Sequence, residues 1–155
     1  QVVTYEAQAA MEFETLAADA ALAPYDLTGA VRPVSPQSLQ SGISEVQFEI
    51  DPRPLLRQLV QDALGGTAPG AISFRFHQAI AAIVRDACLA ARDLCGLNVV
   101  ALSGGVFQNV LLLGAVLDRL QESGFTTLTH LRIPANDGGL ALGQALVAHY
   151  MTRDA

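Results

Sequence analysis

Six residues of largely apolar character, LNVVAL at 97–102, run directly into Ser103, Gly104 and Gly105. A nearly continuous apolar run of this length is typical of a strand buried on both faces of a sheet. The pattern then predicts a helix over 106–122, a second strand over 125–133 and a last helix over 140–150. A right-handed crossover makes the two strands parallel, with helices covering the sheet. The C-terminal third therefore predicts an α/β fold.

The residues upstream of this unit predict helices joined by a less regular segment. The predicted elements are a helix over 7–21, an irregular connection or poorly regular hairpin over 24–44, a short strand over 46–50, a helix over 51–65 and a longer helix over 72–95 that Gly96 ends. We therefore expect a single unit over 1–155, with a partly irregular insertion at 24–70.

Composition narrows the class of protein. Among 155 residues, 51% are hydrophobic and 15% are charged, the formal net charge is −6, and the mean hydropathy is +0.34, so we expect one packed core. The negative charge and the absence of a basic cluster disfavour nucleic-acid binding. The longest apolar runs fall short of the ~20 residues that span a bilayer, which predicts no membrane segment.

Cys88 and Cys95 are interpreted as reduced core thiols of a cytoplasmic protein. The N-terminus, without Met or a basic apolar leader, is interpreted as the start of an excised piece.

The glycine pair after the first predicted strand is a candidate nucleotide or phosphate site. Ser103, Gly104 and Gly105 stand between a strand and a helix, where bare backbone can approach a ligand and helix N-terminal amides favour anions. The spacing is neither that of a Walker loop nor GxGxxG, so a tight strand-to-helix turn is an equal alternative. The amide of Asn109, one turn later, can bind a ligand or cap the turn.

A second glycine loop follows the next predicted strand. Asn136, Asp137, Gly138 and Gly139 place a carboxylate and bare backbone at the carboxyl end of a strand, where open α/β sheets bind ligands. Asp137 is interpreted either as a metal ligand or as the N-cap of the last helix. Two such loops in one β-α-β-α unit favour a cleft that both of them line.

Other polar residues carry weaker signals. His77, His130 and His149 show no spacing of a metal-binding pair, so no complete metal site is expected in this chain, and His77 is interpreted as a packed or capping histidine. Ser103 lacks the context of a serine nucleophile and has no assignable acid–base partner, which leaves catalytic residues unknown. Glu14 borders the apolar face of the first helix.

Four segments together resemble one family. They are LSGGVFQN at 102–109, HLRIPANDGGLALGQA at 130–145, VTYEAQAAMEFETLA at 3–17 and FRFHQAIA at 74–81. They resemble the C-terminal domain of HypF-type carbamoyltransferases, maturation factors of [NiFe] hydrogenases. The resemblance implies one lobe, the second, of a two-lobed actin-like ATPase (ribonuclease H-like) fold, with a parallel or mixed sheet flanked by helices and ligands bound between the lobes.

The resemblance also implies an activity. Such enzymes make carbamoyl adenylate from carbamoyl phosphate and ATP in another domain, then transfer the carbamoyl group to the C-terminal cysteine of HypE. By motif, Gly104, Gly105 and Asn109 would hold the adenylate together with Ser103 and Gly138, and Glu14 would contact its ribose. Asp137 would bind a divalent metal, iron or zinc, as a Lewis acid. The metal's histidine ligands would lie outside this chain, so the chain alone is expected to be inactive.

Three positions depart from the family's usual residues, with Ala7 in place of Gly, Val110 in place of Arg and Ala135 in place of Pro. None removes an implied ligand, and the change at Val110 is expected to weaken a contact to phosphate or to a partner protein. Two alternatives stay open: an O-carbamoyltransferase acting on a small-molecule hydroxyl, and a non-catalytic protein-binding lobe. Expected partners are the HypE-type acceptor, the remaining domains of the parent chain and, through an exposed apolar face, a second copy of the lobe.

Overall fold

The computed structural model describes residues 3–18, 21–33 and 48–153, without the side chains of Pro33 and Arg153. The chain is mixed α/β and rich in helix. In order, its helices and strands are α1 Gln8–Thr15, β1 Val31–Pro33, β2 Phe48–Ile50, α2 Arg53–Leu64, α3 Pro69–Cys95, β3 Val99–Ala101, α4 Val110–Glu122, β4 Thr126–Leu128 and α5 Leu140–Arg153. Short 3₁₀ turns at Gly105–Gln108 and Asp137–Gly139 precede α4 and α5.

The C-terminal β-α-β-α unit is confirmed. Strands β3 and β4 pair in parallel, with Val99 opposite Thr126 and Ala101 opposite Leu128. Helix α4 packs against α3 and β4, and their apolar faces form the main core, whose buried members are Ala81, Leu102, Leu112, Val116, Leu120 and Phe125. Helical spacing on α4 places its buried leucines and valine on one side, which is why this helix covers the sheet.

The prediction that β3 is buried on both faces is wrong. Val99 is 58% exposed and Ala101 is exposed, whereas Val100 between them is half-buried and packs against the main core. Both strands are also shorter than predicted, at 99–101 and 126–128. Side chains alternate across a strand, and in the described part of the chain the helices cover one face of this sheet, so its other face keeps apolar residues in solvent.

A second, smaller core forms around the N-terminal half of α3. Within the segment 24–44, predicted to be irregular or a hairpin, the described residues form β1, which pairs antiparallel with β2 at the predicted strand 46–50, with Val31 opposite Ile50. The intervening residues 34–47, including the predicted strand start at Val46, lie outside the described residues. The buried side chains of this second core are Tyr25, Ala30, Leu55, Ala79 and Ile83. The segment 24–70 thus contributes β1, β2 and α2, which begins after Pro52 as expected.

The predicted helices hold with shifted ends. Helix α3 ends at Cys95 and is capped by Gly96, whose φ of 71° is left-handed, whereas α1 ends at Thr15 and not at Ala21. Ala7, which stands where the family usually has glycine, precedes α1 with φ 62°. A left-handed backbone is costly for an L side chain, which gives the family's glycine a conformational reason. No helix among the described residues is long and apolar enough to cross a membrane.

The two cysteines are both free, but only one of them contributes to a core. Cys88 is half-buried against the main core, and burial raises the pKa of its thiol. Cys95, at the end of α3, is exposed, so its assignment as a core thiol is wrong. The helical spacing suggested that both cysteines share a buried face. Cys95 is exposed because the last residues of α3, from Asp93 on, are not covered by other described elements.

Tyr25 gives the smaller core a pH-dependent contribution. Its phenol is buried and donates a hydrogen bond to Asp62 Oδ2 at 2.7 Å, beneath the guanidinium of Arg75. Burial, followed by the hydrogen bond and negative charge of Asp62, raises the pKa of Tyr25 to about 12. Because this pKa lies above the ordinary value of about 10, the stabilisation is complete below that pH and is lost as pH rises toward 12.

We therefore expect Tyr25→Phe to lower the free energy of unfolding near neutral pH by about 1–2 kcal/mol. Between pH 10 and 12 the wild-type chain should lose the stabilisation that its Tyr25 phenol provides, which the variant does not have at any pH. The free energies of unfolding of the two proteins should therefore converge over this range. Urea unfolding across this pH range measures the effect, with Tyr150→Phe on the exposed surface as the matched control. Parallel curves for wild type and Tyr25→Phe would contradict the assignment.

Candidate functional site

The two glycine loops lie side by side at the carboxyl edge of the β3–β4 sheet. The Gly104 N–H donates to the Ala135 carbonyl at 2.9 Å, and a Cβ placed on Gly105 would stand 3.8 Å from Asn136 Cβ. Between them and α5 runs a groove of about 890 Å³, which we call the loop groove. Its lining includes Ser103, Gly104, His130, Asn136, Asp137 and apolar residues of α5. The loops therefore meet in one cleft, as their matching positions in the sequence indicated.

Backbone geometry explains one glycine in each loop. Gly104 has φ 99° and ψ 156°, a combination that is essentially restricted to glycine. At Gly139 an added Cβ would come within 2.8 Å of the Pro134 carbonyl oxygen and 2.9 Å of Ile133 Cγ2. Gly105 has neither constraint, because a Cβ there would make only an ordinary contact with Asn136.

The helix after the first loop starts later than predicted. A 3₁₀ turn over Gly105–Gln108 separates the loop from α4, so the glycine pair does not open directly onto the α-helix. Asn109 is the N-cap of α4, and its Oδ1 accepts from the Leu112 N–H at 2.8 Å. Glu14, which reaches across from α1, accepts from the Val110 N–H at 2.8 Å through Oε1. The positive end of α4 is thus already matched by a carboxylate of this chain.

A buried histidine links Asn109 to the interior. His77 is 3% exposed, its Nδ1 lies 2.7 Å from the Ser73 carbonyl oxygen, and its Nε2 lies 2.9 Å from Asn109 Nδ2. A carbonyl can only accept, so Nδ1 carries the proton, and Nε2 accepts from the Asn109 amide. The side-chain oxygen of Asn109 accepts from the Leu112 N–H. These bonds confirm His77 as a packed histidine and hold Asn109 in a single orientation.

Asp137 is not the residue that caps the turn leading into the last helix, which was one of its two predicted roles. Asn136 is the N-cap of the 3₁₀ turn that leads into α5, and its Oδ1 accepts from the Gly138 N–H at 3.0 Å. The Asp137 carboxylate is exposed and lines the loop groove. Among the described residues no three His, Cys, Asp or Glu side chains come together as a metal site. Asp137 is thus an exposed carboxylate in the loop groove with no second and third ligand of this kind beside it among the described residues.

The structure also joins two residues that sequence reasoning left separate. Ser103 Oγ lies 2.9 Å from His130 Nε2, although the two residues are 27 positions apart. Ser103 follows β3 and His130 follows β4, so a parallel pair of strands brings them to one edge. That shared position was the available signal, because carboxyl ends of neighbouring parallel strands always lie together.

Comparison with known proteins identifies the chain's relatives. Residues 1–144 match the family described as "Carbamoyltransferase, Kae1-like Domain, second subdomain". The chain belongs to this family. The carbamoyltransferase HypF of Rhodobacter capsulatus is 36% identical over 145 residues, which cover 94% of this chain and 16% of that protein. A HypF homologue of Cupriavidus necator is 38% identical over 148 residues, covering 92% of this chain and 34% of the relative.

Solved HypF structures share the fold. A full-length HypF in its phosphate- and nucleotide-bound form superposes with a TM-score of 0.79 at 35% identity, covering 96% of this chain and 18% of that one. The HypF of T. kodakarensis gives a TM-score of 0.70 at 20% identity, covering 98% of this chain and 18% of that one, which shows likeness of fold alone. The chain therefore spans between 16% and 34% of the length of these relatives.

Proposed function

We propose that this chain forms the second lobe of a two-lobed actin-like (ribonuclease H-like) carbamoyltransferase. The enzyme would transfer a carbamoyl group from carbamoyl adenylate, made from carbamoyl phosphate and ATP, to the C-terminal cysteine of a HypE-type protein in hydrogenase maturation. The observation that carries the proposal is the loop groove, formed by two glycine loops at the carboxyl edge of a parallel sheet in a chain that matches the HypF second subdomain. The free thiols of Cys88 and Cys95 are compatible with the reducing cytoplasm.

Residues of the loop groove, together with Asn109 and Glu14 at the start of α4, which do not line the groove, would hold the adenylate. Ser103 and Gly104 line the groove, Gly105 follows them in the chain, and Gly138 lies between the lining residues Asp137 and Gly139. The Asn109 side chain donates one N–H to His77 Nε2 and accepts from the Leu112 N–H through Oδ1. Its second amide N–H is therefore left for a ligand. Glu14 uses Oε1 on Val110, so a ribose contact would use its other carboxylate oxygen.

A divalent metal, iron or zinc, would be held by Asp137 together with histidines supplied from outside this chain. When bound, it would polarise the carbamoyl carbonyl as a Lewis acid. Asp137 keeps its carboxylate in the groove because Asn136 takes over the cap. A single ligand binds weakly, so we expect the chain by itself to transfer no carbamoyl group.

The first lobe would dock on the apolar surface that this chain leaves in solvent. Helix α5 contacts the short turn before it but exposes most of its large side chains, namely Leu140, Leu142, Leu146, Val147, Tyr150 and Met151. Val99 and Leu128 are also exposed, on the face of the β3–β4 sheet that the described helices leave uncovered. Exposed apolar side chains in such number are typical of an interface. Without that lobe, a second copy of this chain is the expected substitute.

Nucleotide binding by the chain tests the proposal. Calorimetric titration with ATP and a divalent metal should show weak binding, which Gly105→Val reduces at least about tenfold because the new side chain fills the approach to the loop. Gly114→Val, in open space on α4, is the matched control and should bind as wild type does.

Equal affinities for Gly105→Val and wild type would place the nucleotide elsewhere. If wild type binds no nucleotide, the titration is repeated on the complete carbamoyltransferase that contains this lobe. Failure there as well would overturn the proposed function.

A further inference from the structure

Ser103 and His130 form a hydrogen-bonded pair that opens into the loop groove. Ser103 Oγ and His130 Nε2 are 2.9 Å apart, and both residues are exposed and line the groove. When a serine hydroxyl is hydrogen-bonded to an imidazole nitrogen, a proton can move between the oxygen and the nitrogen along that bond. The contact is therefore a ready path for a proton at the edge where the two loops meet.

The other histidines of the chain are unsuited to this task. His77 is buried, and both of its ring nitrogens are engaged, by the Ser73 carbonyl and by the Asn109 amide. His149 lies on α5, makes an edge-to-face contact with the Tyr150 ring, and does not line the groove. Among the groove-lining residues that the structure describes, the ionisable side chains are His130 and Asp137. His130 is thus the imidazole that faces the reaction space.

Carbamoyl transfer creates the need for such a pair. This step rests on the proposed function, in which a thiol attacks the carbonyl carbon of a carbamoyl group esterified to the phosphate of AMP. The new C–S bond forms while the C–O bond to the phosphate breaks, and AMP leaves with the electron pair. The sulfur must also give up its proton. Imidazole is the side chain that most often takes such a proton near neutral pH.

We propose that Ser103 and His130 are the proton relay for the acceptor thiol. The thiol hydrogen bonds to Ser103 Oγ. As the C–S bond forms, the thiol proton passes to Oγ, and the Ser103 proton passes to His130 Nε2, from which it later leaves to solvent. Ser103 is neutral before and after the step and forms no covalent bond to the carbamoyl group.

Acceptor kinetics with the complete carbamoyltransferase test the relay at saturating ATP and carbamoyl phosphate, with a HypE-type protein as acceptor. His130→Ala should lower kcat by about 100-fold or more while the KM for the acceptor changes little. Free imidazole added to His130→Ala should restore part of kcat, which it cannot do for wild type or for Ser103→Ala. His149→Ala is the matched control and should keep wild-type kcat.

The outcomes separate this inference from the proposed function. Absence of carbamoyl transfer by the wild-type enzyme overturns the proposed function. An active wild type with unchanged kcat in His130→Ala, or loss of activity that imidazole never restores, overturns the relay alone. So does mass-spectrometric detection of a carbamoyl group on Ser103 after incubation without acceptor, because a covalent intermediate would make the serine a nucleophile.

Discussion

Leu120→Ala is expected to lower the free energy of unfolding by about 2–5 kcal/mol. Leu120 has 0% exposure on the inner side of α4, in the main core with Val116, Phe125 and their neighbours. The substitution removes buried methyl groups and leaves a cavity between α3, α4 and β4, which the surrounding backbone fills only in part. A loss of this size is a large share of the stability of an ordinary small domain.

Urea unfolding followed by circular dichroism measures this loss. Leu128→Ala is the matched control, because Leu128 is 55% exposed on β4 and its truncation removes little contact. We expect the control to change stability by no more than about 0.5 kcal/mol. Similar losses for the two variants would mean that α4 does not cover the sheet through Leu120, and would contradict the packing described above.

Asn109→Ala is expected to cost about 2–4 kcal/mol, from an N-cap worth about 1 kcal/mol and an unsatisfied buried acceptor worth about 1–3 kcal/mol. The substitution removes the oxygen that accepts from Leu112 N–H and the amide that donates to His77 Nε2. His77 is too deeply buried for water to replace that donor easily. The loss should therefore exceed that of a surface cap.

Two variants separate these contributions. Asn109→Asp keeps an oxygen for the Leu112 N–H but has no amide proton for His77, so it should show an intermediate loss. Asn98→Ala, at an exposed asparagine whose side chain makes a 3.4 Å contact with Arg92, should be nearly neutral. Thermal and urea unfolding provide the measurement. If Asn109→Ala is as mild as Asn98→Ala, the amide bond to His77 contributes nothing.

Local patterns were enough to predict the β-α-β-α unit. The apolar run before Ser103, the helical period of α4 and the glycines that end the helices each act through neighbours in the chain, so their consequences could be predicted in advance. Parallel pairing of β3 and β4 followed from the helix between them. The positions of the two glycine loops at one sheet edge followed in turn, and with them the loop groove.

Contacts between distant residues could not be predicted in this way. Glu14 caps α4 across 96 positions of sequence, His77 orients Asn109 across 32, and His130 reaches Ser103 across 27. None of these pairs has a local spacing, because each depends on how whole helices and strands pack. The exposure of one face of β3 could not be predicted either. The sequence of a strand shows which of its residues are apolar, but not which other elements cover them.

The sequence by itself determined the family, the order of elements and the residues available at the sheet edge, since these depend on composition, periodicity and motif. Only the tertiary structure decided which hydrogen bonds those residues make. It assigned the cap to Asn136 and left Asp137 in the groove, engaged Glu14 and Asn109 at the start of α4, and paired Ser103 with His130. The physical reason is that a polar group near a turn has several partners of similar energy, and packing selects among them by distance.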